Sequence, residues 1–234
     1  MSKAKRGLSL MLVVVMLVSL LAVMPAMTTQ ADAADASQVV SAWHTSMLNL
    51  TGEKASTALS VIQAMPNTST YRSRLQMNAA GNQLRVTLTN YFGGADLKVT
   101  HMTVARPGGS GNATSIDTST LKTVTVNGKQ AFTIPRGGSV TTDWIDYSFV
   151  AGETLTFSTC LSNSKQVRDS GLTGGASWLF WSDYSTEQDS TGLFHLQKDD
   201  KDVGNYDLVP LITNVDANCT SANPYTVVVI GDSP

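Results

Sequence analysis

With 234 residues, 16 basic and 18 acidic side chains and a formal charge of −2, the chain has the length of one domain, or of one domain and the start of another. A mildly acidic surface without Lys/Arg clusters argues against nucleic acid or anionic lipid as a partner. Its two cysteines, with no histidine cluster beside them, do not make a zinc site, and no metal or other cofactor is implied.

The first segment has the order of a secretory signal peptide. Lys3, Lys5 and Arg6 precede the apolar run from Leu8 to Met24, and Ala31-Asp32-Ala33 and Ala34-Asp35-Ala36 follow as candidate cleavage sites. An uncleaved anchor helix is the alternative, since about 17 apolar residues just span a bilayer. Either way the rest is expected outside the cell, secreted or at the cell surface, and no second run is apolar enough to cross a membrane. Cleavage after Ala33 removes Lys3, Lys5, Arg6 and Asp32 and moves the formal charge from −2 to −4. In an oxidising compartment the pair Cys160 and Cys219 predicts a disulfide, the alternative being two separate thiols. The bridge would close a loop of about 60 residues, a gain of roughly 3–4 kcal/mol on the chain-entropy account.

Residues 34–70 read as a leader with a short helix. Val39, Val40 and Trp43, then Leu59, Ile62 and Met65, fall at three- and four-residue spacings, and Pro66-Asn67 ends the stretch. From there the period becomes two, and residues 71–217 are expected to form an all-β, jelly-roll-like β-sandwich. In Gln83 to Thr89, Leu84, Val86 and Leu88 alternate with Arg85, Thr87 and Thr89, the pattern of a strand with one face in a core. Leu97 to Ala105 repeats it with a change of phase near His101 that a bulge explains. Asn127-Gly128 supplies the two positive-φ positions of a type I′ turn, predicting a hairpin between Leu121–Val126 and Lys129–Ile134. Val140 to Val150 and Thr154 to Leu161 read as a second pair joined by Ala151-Gly152-Glu153. Short strands with turns every 8–12 residues or so indicate a sandwich; Gln166 to Asp207 is less regular and predicts longer loops.

Residues 218–234 read differently. After Pro224, the run Val227 to Ile230 does not alternate and leads directly into Gly231-Asp232-Ser233. A short, continuous β-branched run fits a strand buried on both faces, as in a parallel sheet flanked by helices. It reads as the first strand of an α/β domain. Such a strand without its neighbours is expected to be disordered or docked on the sandwich, and to promote aggregation.

Several blocks in this order resemble one family. Leu84-Arg85-Val86-Thr87-Leu88-Thr89-Asn90-Tyr91-Phe92-Gly93 followed by Leu97 to Ala105, Phe132-Thr133-Ile134-Pro135-Arg136-Gly137-Gly138, Thr142-Asp143-Trp144, Ala151 to Ser158, Ile212-Thr213-Asn214-Val215-Asp216 and Val229-Ile230-Gly231-Asp232-Ser233 are similar to motifs of secreted bacterial SGNH (GDSL-type) ester hydrolases. The likeness covers roughly Tyr71 to Ser233. It implies an N-terminal β-domain followed by the start of the catalytic domain. It also implies an acyl or acetyl ester as substrate, an acylated carbohydrate among the candidates, cleaved through an acyl-serine. Ser233 would be the nucleophile and its backbone N–H one donor of the oxyanion hole. A serine hydroxyl needs a base to become a nucleophile. The family places that base, an Asp-x-x-His block, and the Gly and Asn of the oxyanion hole after the serine. Here only Pro234 follows, and the chain as written is expected to be truncated and inactive.

The three histidines, His44, His101 and His195, all precede Ser233, and none lies in the expected block. Trp178, Phe180, Trp181 and Tyr184, with Asp183 among them, admit two readings. They could stack on sugar rings; alternatively Trp178 and Phe180, two apart, fill the sandwich core while Trp181 packs under a loop. The corresponding alternative to an ester hydrolase is a stand-alone secreted β-sandwich that binds carbohydrate without catalysis.

Overall fold

A computed structural model of the chain describes residues 38–52, 56–109, 113–172, 175–187, 194–200 and 204–219. The segment expected to be a signal peptide and the run through Ser233 lie outside them. Among the described residues, strands form three antiparallel sheets. The first orders β1 (Gln38–His44), β16 (Ile212–Cys219), β4 (Gly81–Thr89) and β8 (Ser139–Thr141), and β9 (Ile145–Phe149) also pairs with β4. The second orders β13 (Phe194–His195), β12 (Gly175–Phe180), β3 (Ser69–Gln76), β10 (Thr154–Leu161), β5 (Leu97–Pro107) and β6 (Ile116–Thr123), with β7 (Phe132–Ile134) also on β5. A third, smaller sheet orders β14 (Gln197–Asp200), β15 (Gly204–Pro210), β11 (Asp169–Leu172) and β2 (Met47–Asn49). No helix among the described residues is long and apolar enough to cross a membrane.

The period-two pattern is what makes this a sandwich. Leu84, Val86 and Leu88 of β4 are all fully buried, and they share one hydrophobic core with Tyr71, Leu75, Val99, Met102, Val104, Leu155, Phe157 and Leu179 of the seven-stranded sheet. The phase change in β5 is a bulge. Cys160 pairs with His101 but Leu161 pairs with Val99, so Thr100 is the extra residue and the core positions pass from Val99 to Met102.

Local signals and strand partners part company in three places. Gln38–His44, where helical spacing was expected, is strand β1, an edge strand on β16 with Val40, Ala42 and Trp43 buried. The second cluster does form a helix, α1 (Ser56–Ala64), packed through Ala58 and Ile62 and ended by Pro66. Asn127 and Gly128 adopt φ of 52° and 72°, the I′ turn expected, and Asp143 accepts bonds from both their amides, at 3.0 and 2.7 Å. The flanking segments, however, join only through the bridge Val126 to Lys129; β6 and β7 pair with β5 instead of with each other. Gly152, at φ 84°, likewise makes its turn, yet β9 pairs with β4 and β10 with β3 and β5. That turn passes from one sheet to the other because Gly152 N–H donates to Met77 O and Met77 N–H to Glu153 O, holding it against the end of β3.

One corner joins several of these segments. Asn90, fully buried after β4, donates from its side chain to Ala95 O at 2.9 Å and Ile134 O at 3.2 Å, and its backbone exchanges bonds with Gly137 and Gly138. Gly93 is required there, because a Cβ would lie 1.8 Å from Asn90 Oδ1. Asp169 of β11 closes the corner by accepting the amides of Tyr91 and Phe92 at 2.6 and 2.9 Å.

Candidate functional site

The outer face of the seven-stranded sheet, turned away from the core, holds the groups capable of chemistry. In β3 the alternation places Tyr71 and Leu75 inward, so Thr70, Arg72 and Arg74 point outward. The register then brings Ser158 of β10 and Trp178 of β12 to either side of Arg72, and Cys160 and Phe180 to either side of Thr70. Leu179 is the core residue of β12, so Trp178 and Phe180 face outward. The expected core filling by this pair is therefore corrected: an odd position, Leu179, fills the core, and the two rings line the opposite face.

After Phe180 the chain crosses this face as a strap, residues 181–187. Thr70 Oγ1 donates to Ser182 O at 2.8 Å and accepts Tyr184 N–H at 2.9 Å. Thr103 Oγ1 donates to Ser185 O. Arg72 is completely buried beneath the strap. It donates from Nε to Ser158 Oγ at 3.0 Å and through its terminal nitrogens to the carbonyls of Thr114, Tyr184 and Glu187, with its guanidinium carbon 4.6 Å from the Phe180 ring centre. A charged group is tolerated at such depth only when its hydrogen bonds are met, as these are.

The two histidines of this face each sit beside a carboxylate. His101 Nδ1 lies 3.3 Å from Asp183 Oδ2 and its Nε2 lies 3.0 Å from Gln130 Oε1. His195 Nε2 lies 2.9 Å from Asp207 Oδ1, and its ring stacks on Trp178 at 5.3 Å and 17°. Burial favours the neutral form of Asp183, but the Ser185 hydroxyl and amide and His101 outweigh it and hold its carboxyl below the usual value. Cys160, beneath the strap and across from His101, is pushed up by burial, with the Asp183 charge acting in the same direction, so its thiol is not a ready nucleophile.

The expected disulfide is not formed. Cys160 and Cys219 are both buried free thiols. Cys219 belongs to the core, whereas Cys160 alternates with Leu161 and Phe157 and so lies on the outer face, with the sheet between the two sulfurs. Ser233, and the strand expected before it, lie outside the described residues.

The aromatic group separates on inspection. Trp178 is covered by His195 and has the Arg74 guanidinium 5.8 Å from its centre. Phe180 is buried between Arg72 and Tyr184. Trp181 is 55% exposed, and it lines a cavity of about 630 Å³ with Ser60, Val61, Ala64, Met65 and Pro66 of the α1 region. Sequence reasoning missed Arg72 and Arg74. Their spacing of two in a Ser/Thr-rich strand was a signal of one face, but which ring each would meet depended on the register with β12. No protein-family model matches the chain, and no curated protein matches it.

Proposed function

We propose that the β-sandwich is the N-terminal domain of a secreted SGNH-type ester hydrolase, with Ser233 as the nucleophile at the entry to its catalytic domain. The observation that carries this reading is the corner at Asn90. Blocks that resemble the family far apart in sequence meet there. Asn90 and Gly93 come from the first, and Ile134, Gly137 and Gly138 from the second. The Ile212–Asp216 block runs alongside as β16, with Val215 opposite Val86 of β4. Such residues specify a fold module. An acyl or acetyl ester, on a carbohydrate or another alcohol, is the substrate class this assignment brings.

Ser233 needs an imidazole to take its proton. His101 and His195 are each engaged on the outer face, the first by Asp183 and Gln130 and the second by Asp207 and Trp178. With the base supplied by the Asp-x-x-His block that the resemblance implies, hydrolysis of p-nitrophenyl acetate by the 234-residue chain is expected to be the same in wild type and in Ser233→Ala. The decisive experiment is to sequence the locus beyond codon 234 in all frames. Blocks bearing a Gly, an Asn and a late Asp-x-x-His are expected; several hundred bases without them would overturn the assignment.

A further inference from the structure

We infer that the outer face of the first sheet binds a neutral oligosaccharide chain, seated on Trp144, Arg85 and Asp216. Leu84 and Val86 of β4 and Val215 and Ala217 of β16 are core residues, so the alternate positions of both strands turn outward. The register sets them in rows across the strands. In the central row Ser41 lies opposite Asp216, and Asp216 opposite Arg85. Trp144, one residue before β9, meets Arg85 from the other side, because Ile145 pairs with Leu84. In the next row Asn218 and Asp146 flank Gln83, which accepts from Asn218 Nδ2 at 3.0 Å and donates to Asp146 Oδ1 at 2.6 Å. In the third row Asn214 and Thr141 flank Thr87. Asn214 ties this row to the centre, accepting from Ser41 Oγ and donating to Asp216 Oδ1, both at 2.6 Å. With strands about 4.8 Å apart and rows about 6.8 Å apart, three rows on four strands make an open patch roughly 14 Å square, the footprint of a chain of rings rather than of one.

Arg85, at the centre of the patch, is already held in place. Its Nε donates to Asp216 Oδ2 at 2.8 Å, and its guanidinium carbon lies 4.7 Å from the Trp144 ring centre. Together these contacts fix the plane of the fork, so little side-chain freedom remains to be lost on binding. Its two terminal nitrogens make no hydrogen bond among the described residues. With the exposed Asp146 carboxylate and the Thr87 and Thr141 hydroxyls, they set donors beside acceptors. That mixture suits vicinal sugar hydroxyls, each of which both donates and accepts. A carboxylated or phosphorylated chain suits it less, because Asp216 already neutralises Arg85 and Asp146 adds a negative charge. Trp144, 36% exposed, has Arg85 against one side of its ring and can offer the other to the C–H face of a sugar. A protein partner is a poorer match, since the buried centre of a protein interface is apolar and depleted in charge. Here the exposed apolar groups, Trp144 and Val39, lie on opposite sides of a charged centre. Binding on this face does not depend on Ser233 or on the family assignment, which sequencing of the locus tests separately.

The test titrates the full chain, ¹⁵N-labelled, with cellohexaose, xylohexaose and mannohexaose in turn, while backbone amide and tryptophan indole signals are followed by NMR. At least one hexaose is expected to move the Trp144 indole and the amides of Arg85 and Asp216 saturably at submillimolar to millimolar concentration, leaving the Trp181 indole in place. Trp144→Ala and Arg85→Met should each weaken that binding at least tenfold. Asp146→Ala, at an exposed position, should weaken it about threefold, the loss of one solvent-facing hydrogen bond. That milder variant leaves the Arg85–Trp144 pair intact and keeps the test sound if either larger substitution disturbs the sheet. Hexagalacturonate, a carboxylated chain of the same length, should bind at least tenfold more weakly than the neutral chain. The inference is overturned if none of the three hexaoses moves these signals, if the shifts centre on Trp181, if Trp144→Ala binds as wild type does, or if hexagalacturonate is preferred.

Discussion

The two faces of the seven-stranded sheet are both buried, by different physics. On the inner face Leu75, Val99, Met102, Val104, Leu155 and Phe157 are covered by the opposing sheet through apolar contact. On the outer face Thr70, Arg72, Thr103, Ser158 and Cys160 are equally inaccessible, yet the segment that crosses them is held by hydrogen bonds to Thr70, Arg72 and Thr103, and Arg72 in turn bonds Ser158. Apolar burial is non-directional and cumulative, so a close-packed core resists opening as a unit. A hydrogen-bonded cover depends on a few geometries, and its exposed parts exchange readily with water. The outer face should therefore open locally under conditions in which the inner face stays closed.

Three experiments can break or sharpen that contrast. Phe157→Ala on the inner face should cost about 3–5 kcal/mol of global stability, the range for emptying a buried aromatic site, measured by denaturant unfolding. Arg72→Met should cost less, about 2–3 kcal/mol, since it removes charged donors and leaves carbonyls that the strap can present to water by lifting. Its distinguishing mark would be a rise in Cys160 thiol reactivity well below the unfolding midpoint, read in a Cys219→Ala background. An Arg72→Met loss equal to that of Phe157→Ala, without thiol exposure, would mean that the strap is part of the core.

The smallest effect is expected from Asp183→Asn: little change in unfolding free energy, but faster reaction of Cys160 with 4,4′-dithiodipyridine. The carboxyl of Asp183 is held low, chiefly by Ser185 and then His101 against the opposing effect of burial. Its contribution to strap closure is therefore complete above the ordinary value of 3.8 and is lost as pH falls through the lower folded value. Acid-induced exposure of Cys160 in wild type, absent as a separate step in Asp183→Asn, is the outcome to look for. A strap indifferent to both changes would place its hold elsewhere, in Arg72 and Thr70.

Much of the local structure was legible in the chain because it rests on near-neighbour physics. Leu84, Val86 and Leu88 could face only one way in an extended strand, and Thr100 had to be absorbed in a bulge for the core pattern of β5 to continue. Asn127-Gly128 and Gly152 announced their turns through the backbone conformations they alone accept cheaply. Trp43 was harder. Its spacing from Val39 and Val40 suits a helix, and only β16 alongside makes the stretch a strand.

What the chain by itself determined was therefore the alternation, the turns and the all-β class, each decided by a few consecutive residues. Tertiary structure alone decided which strands became partners across those turns. It also separated Cys160 from Cys219 by the thickness of a sheet and set the rings of Trp178 and Phe180 outside the core. The physical reason is the register of β12 and β10 on β3: a shift of one residue reverses every side chain, and that choice is made by the whole core at once.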